Sequence, residues 1–112
     1  MSVKYKYGQF EEMQIVEVKE KLHKKIRFLL FVVDPRTSEK YAYIDVEQAI
    51  INIQNILGGL NELLFYPREL VFTSSLLEAA LLEYKSEDFQ FSRFKKLILD
   101  AGNEILKVKE VE

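Results

Sequence analysis

Glu20-Lys-Leu-His23 is the stretch of this chain whose residue types and spacing match a known chemical device. Helical di-iron proteins take a Glu-x-x-His at i,i+3 from each of two helices. His23 is the sole histidine, so the second motif is missing and such a site cannot be assembled. The same count leaves a Ser-His-Asp arrangement without support, because no partner is placed near His23 by sequence logic. Gly58-Gly59 lacks the spacing and the following lysine of a phosphate-binding loop. The carboxylate pairs Asp34/Asp45 and Glu87/Asp88 have the chemistry of general acids and bases, but turns and helix caps require the same residues. With no cysteine in the chain, disulfides, thiolate metal sites and a Cys nucleophile are excluded. We therefore expect no catalytic residue, no metal site and no cofactor, and read the chain as a non-enzyme.

What remains is surface that could recognise a partner. Lys19, Lys21, Lys24, Lys25 and Arg27 concentrate positive charge on one segment, with His23 among them and Glu20 the only acid between. Such a face suits phosphate backbones or an acidic protein. It also suits plain solvent, with Glu17/Lys21 and Glu20/Lys24 as i,i+4 pairs. Lys4, Tyr5, Lys6 and Tyr7 near the N-terminus add charge and stacking surface of the kind single-strand binders use. Gln48, Asn52 and Asn55 form an uncharged amide side where a free helix surface would carry Lys and Glu. Leu99 and Leu106, with Gly102 between them, make a second apolar patch on the last helix. That patch either meets its copy in a C2 dimer or packs beneath the loop over residues 34–44 or the N-terminal arm. A small apolar ligand enclosed by Phe65, Phe72, Phe91 and Phe94 is a third reading, although aromatics at helical spacing more often build a core.

The elements that must position these residues follow from patterning. At 112 residues, 48% apolar and 30% charged, the chain is sized for one domain over 1–112 with one core. A net charge of −2 gives no global pull toward nucleic acid or an anionic membrane. The longest apolar run, residues 28–33, is far too short to span a bilayer, and the N-terminus lacks the apolar centre of a signal peptide. The expectation is a protein without membrane insertion, placed in the cytoplasm by its lack of cysteine.

Residues 1–8 read as an extended arm ending at Gly8, and residues 110–112 as a frayed tail. Ile15, Val18, Leu22, Ile26, Leu29 and Val33 are spaced by three or four, which predicts a helix over 9–33 stopped by Asp34-Pro35. A β-hairpin over about 26–44 competes with it, since that stretch is rich in β-branched and aromatic residues and encloses a turn-like DPRTSEK. Asp45 caps a second helix over 45–57, which Gly58-Gly59 should end. The stretch 67–84 carries two apolar stripes, one of Leu70, Leu77, Leu81 and Tyr84 and another of Val71, Phe72, Ala79 and Leu82. Two faces demanding partners mark it as the central helix. Ser86-Glu87-Asp88 should open a last helix over 87–109, with Phe91, Phe94, Ile98, Ala101, Ile105 and Val108 inward.

The fold expected is therefore all-α, a compact four-helix domain with the third helix central; the alternative is α+β, with the 26–44 hairpin on three helices. The function expected is a small protein-protein interaction or assembly protein acting through a helical surface, with a homodimer as one form. The alternative is a nucleic-acid-associated accessory protein using the basic face.

Overall fold

The computed structural model describes residues 2–5, 8–64 and 66–108, with the side chains of 16–62, 64 and 66–108. The expected tail, 110–112, and Phe65 lie outside these residues. The body is all-α. Four helices follow one another as α1 (Glu12–Val33), α2 (Val46–Leu63), α3 (Arg68–Lys85) and α4 (Phe91–Ile105). Ahead of them, β1 (Ser2–Tyr5) and β2 (Gly8–Glu11) pair antiparallel, with Ser2 opposite Glu11 and Tyr5 opposite Gly8. The helix therefore starts at Glu12 rather than at residue 9, because the backbone over Gly8–Glu11 is paired with β1.

Residues 26–33 continue α1, and the hairpin alternative is overturned. Leu22, Ile26, Leu29, Val32 and Val33 are all buried, so the three-and-four spacing outweighs the β propensity of the segment. Asp34-Pro35 ends the helix as read. The Thr37 hydroxyl donates to the Phe31 carbonyl at 2.6 Å, supplying one of the final carbonyls with a partner. Asp34 then holds the loop together. Its carboxylate accepts from the Arg36 backbone N–H at 2.9 Å and from the guanidinium at 3.2 and 2.8 Å.

This fork, with the Arg36 side chain as the largest cause and the Arg36 N–H next, lowers the Asp34 carboxyl from 3.8 to about 2. A carboxyl depressed in the folded state stabilises above its unfolded value, about 3.9, and that contribution is lost as pH falls from there through about 2. Carboxyl-detected NMR should place the Asp34 midpoint near 2, and Arg36→Ala should return it toward the ordinary carboxylate range. A midpoint indifferent to Arg36→Ala would refute this account.

Asp45 caps α2 by accepting the Gln48 N–H at 3.0 Å. The helix then passes through Gly58-Gly59 and ends at Leu63, a correction to the boundary expected at residue 57. Neither glycine adopts a positive φ. Leu60, Asn61 and Leu64 continue the inward stripe of Ile53 and Leu57, and packing carries the helix over two poor helix formers. The left-handed residue falls at Tyr66, with φ 57°, whose N–H bonds to the Asn61 carbonyl at 2.7 Å.

Ser86-Glu87-Asp88 does not open α4. Ser86 instead ends α3, and its hydroxyl accepts the Asp88 N–H at 3.1 Å. Gln90 is the N-cap of α4, and Glu83 binds both its N–H at 3.1 Å and Arg93 Nε at 2.6 Å. The Arg93 guanidinium, the largest influence there, lowers the Glu83 carboxyl below its ordinary value. The turn is thus clamped from both sides, and α4 runs from Phe91 to Ile105 instead of over 87–109.

The principal contacts run α1–α2, α2–α3, α3–α4 and α4–α1, closing a ring of helices around one core. The short connections after α2 and after α3 make those successive helices antiparallel neighbours. Phe94, Ile98 and Ile105 from α4 meet Ile26 and Leu29 from α1, Ile50 and Leu57 from α2, and Leu70 and Leu77 from α3, all nearly or wholly removed from solvent. The third helix takes one corner of that ring rather than its centre. Leu70, Leu77 and Leu81 are buried, but Val71, Phe72 and Leu82 of the second stripe remain 45%, 51% and 63% exposed. Four helices suffice to cover one face of each, and none is left over for the outside of α3. Among the described residues no helix is long and apolar enough to cross a membrane.

Candidate interaction surfaces

The seam between α1 and α4 accounts for the residue that looked most chemical. His23 Nδ1 lies 2.9 Å from the Gly102 carbonyl. A carbonyl can only accept, so Nδ1 carries the proton and donates. Gly102 falls within the last four residues of α4, whose carbonyls have no intrahelical partner. Lys19 bonds just beyond the helix, donating from Nζ to the Val108 carbonyl at 2.8 Å. His23 is half-buried and Glu20 is exposed. The Glu-x-x-His pair is therefore split between a helix-end contact and solvent, and neither the metal reading nor the solvated-face reading describes His23.

The same seam removes Gly102 from the partner surface on which it was placed. Gly102 is buried, and a Cβ built on it would lie 3.4 Å from Arg27 Cγ and 3.5 Å from His23 Nδ1. The small residue lets α1 approach α4, and the stem of Arg27 lies over it. Leu99 is half-buried and Leu106 is 42% exposed, so they do not form one continuous open patch with Gly102. Of the five basic residues, Lys19 is committed to Val108 beyond the end of α4, while Lys21, Lys24, Lys25 and Arg27 stay exposed. Among the described residues the pairs Glu17/Lys21 and Glu20/Lys24 do not close as ion pairs.

The four aromatics proposed to hold a ligand do not gather. Phe94 is fully buried, Phe91 half-buried and Phe72 turned outward, with Phe65 outside the described residues. Phe94 instead packs with Tyr84 and Phe89, ring centroids 6.3 and 6.1 Å away, as part of the core.

The amide side of α2 is exposed at Gln48, Asn52 and Asn55, and Gln48 Nε2 donates to Asn52 Oδ1 at 2.9 Å. Beside it runs a groove that the sequence did not disclose. It lies where α1 meets α2, has a volume of about 200 Å³, and is lined by Phe28, Leu29, Val32, Ile44, Ala49, Asn52, Ile53 and Ile56, with Lys25 at its edge. Phe28 and Ile56 remain 39% and 41% exposed there, and the Phe28 ring sits edge-on to Tyr41 at 5.1 Å. The available signal was a pair of large apolar residues lying off the inward stripe of each helix. Off-stripe apolar residues are common enough on ordinary surfaces that spacing alone does not single these two out.

The chain matches no family model, no curated protein and no solved structure.

Proposed function

We propose that this chain is a small, non-enzymatic protein-interaction or assembly module of the cytoplasm that receives an apolar helix of a partner in the groove between α1 and α2. The observation that carries the reading is the groove itself. Phe28 and Ile56 stand open at its mouth, an uncharged amide surface borders one side, and Lys25 at the rim is placed to meet an acid. Amphipathic helices bind in such grooves through anchors at i, i+3, i+4 and i+7. The exposed amides suit the border, since they tolerate partial burial without the desolvation cost of a charge.

The test is selection of binders from a library of amphipathic helical peptides, followed by titration against the wild type and a Phe28→Ser/Ile56→Lys variant. Loss of at least about tenfold in affinity is expected if both side chains are central anchors. Binders indifferent to the double change, or a turnover assigned to a side chain of this protein, would overturn the proposal.

A second reading has its own support, because Lys21, Lys24 and Lys25 are exposed and, among the described residues, have no carboxylate partner. It takes the chain as a nucleic-acid-associated accessory protein. Binding to an oligonucleotide that fades steeply with salt and is lost on reversing Lys24 and Lys25 to Glu would transfer the function to it.

A further inference from the structure

The outer face of α3 leaves Val71, Phe72 and Leu82 uncovered by the ring, and its residue order has a symmetry of its own. Arg68, Phe72, Ser75, Ala79 and Leu82 on the helix, and Ser86 at its C-cap, follow one another at intervals of four, three, four, three and four. That is the seam spacing of a coiled coil. Read from either end the intervals are the same, with the midpoint near Leu77. An antiparallel copy of α3 laid along the seam therefore brings Leu82, 63% exposed, level with the other copy's Phe72 and Val71, 51% and 45% exposed. The small residues Ser75 and Ala79 face each other across the midpoint, where they let the two backbones come close.

The charges along the face agree with this register. Arg68 at one end falls opposite the other copy's Ser86-Glu87 turn, and Arg68 and Glu87 are both exposed. The acids flanking the seam are held to their own subunit. Glu78 accepts from Gln54 Nε2 at 2.8 Å on the α2 side, and Glu83 is bound to Arg93 at 2.6 Å on the α4 side. Lys85 is drawn to Glu47 at 3.2 Å.

We infer that α3 is a self-association surface, on which two copies of this chain pair antiparallel about a two-fold axis near Leu77. The interface is isologous, each copy offering Leu82 at one end and Val71 with Phe72 at the other. It is separate from the α1–α2 groove, so a dimer leaves both grooves open and the assembly bivalent. One helix pair is a small interface beside the roughly 1,200–2,000 Å² typical of stable complexes, so weak, concentration-dependent association is expected.

Sedimentation equilibrium on the full chain, from low micromolar to about 1 mM, tests this. The wild type should shift from monomer to dimer. Leu82→Glu, on an exposed residue that leaves the core intact, should weaken association at least about tenfold with an unchanged circular dichroism spectrum. Leu106→Glu on α4 should leave it unaltered. Arg68→Glu should weaken it and Arg68→Glu/Glu87→Arg should restore it, an outcome only the antiparallel register allows. A wild type that stays monomeric to about 1 mM, or a dimer insensitive to Leu82→Glu, or one abolished by Leu106→Glu instead, would overturn the inference. None of these results bears on peptide binding in the groove, so the two proposals fail separately.

Discussion

Replacing Phe94 with alanine is expected to destabilise the protein by about 3–5 kcal/mol. The ring is fully buried, and it stands against Tyr84 and Phe89 at the end of α3 and the turn that follows. It also projects from α4, the helix with the most extensive contacts to both of its neighbours in the ring, α1 and α3. No neighbouring side chain can collapse into the space without leaving its own contacts, so the cavity cost adds to the lost transfer energy. Typical domains are stable by only about 5–15 kcal/mol, and the variant should unfold at a far lower urea concentration or not fold at all. Phe72→Ala is the control. Its ring is 51% exposed, and a loss within about 0.5 kcal/mol is expected. Equal costs for the two substitutions would mean that the core is not centred where it is described.

The largest gain should come from Gly58→Ala/Gly59→Ala. Both glycines lie inside α2, neither has positive φ, and a Cβ built on either meets no atom within 4 Å. Alanine at each site narrows the unfolded ensemble and improves helix propensity, by about 0.5–1 kcal/mol per residue. The double variant should therefore be about 1–2 kcal/mol more stable by urea denaturation, with an unchanged slope. A loss of stability would show that α2 needs the freedom that glycine gives it, and would undo the reading of a continuous helix.

These two sites mark how far the sequence could be read. The inward stripe of α1 was legible because Leu22, Ile26 and Leu29 repeat at helical spacing, and that periodicity correctly outweighed the β propensity of 26–33. The N-cap at Asp45 and the stop at Asp34-Pro35 were legible because each depends on a local backbone interaction. Gly58-Gly59 was misread because propensity is local, while the pull that carries α2 onward comes from Leu57 and Leu64 packing in the core. Ser86 was misread for a related reason, as the residue that binds the Gln90 N–H is Glu83, one turn back in α3. Two apolar stripes on α3 were seen, but periodicity cannot count how many neighbours exist to cover them. The roles of Lys19, His23 and Gly102 were out of reach, because each is defined by a contact between α1 and the far end of the chain. The groove at Phe28 and Ile56 exists only once α1 and α2 are placed side by side.

The bonds from His23 to α4 and from Lys19 to Val108 just past it join residues 79 and 89 apart in the chain. α3 and α4, by contrast, are joined across a short turn, since one ends at Lys85 and the other begins at Phe91. Loop-closure entropy grows with the logarithm of loop length, so closing the α1–α4 seam costs about 2 kcal/mol more than closing the α3–α4 hairpin. The α3–α4 pair, fastened by Glu83 and Arg93, is therefore the less costly of the two contacts to close. The helix that bears the basic side chains and one wall of the groove is also the one that joins the two ends of the chain, and the seam at Gly102 is where the ring shuts.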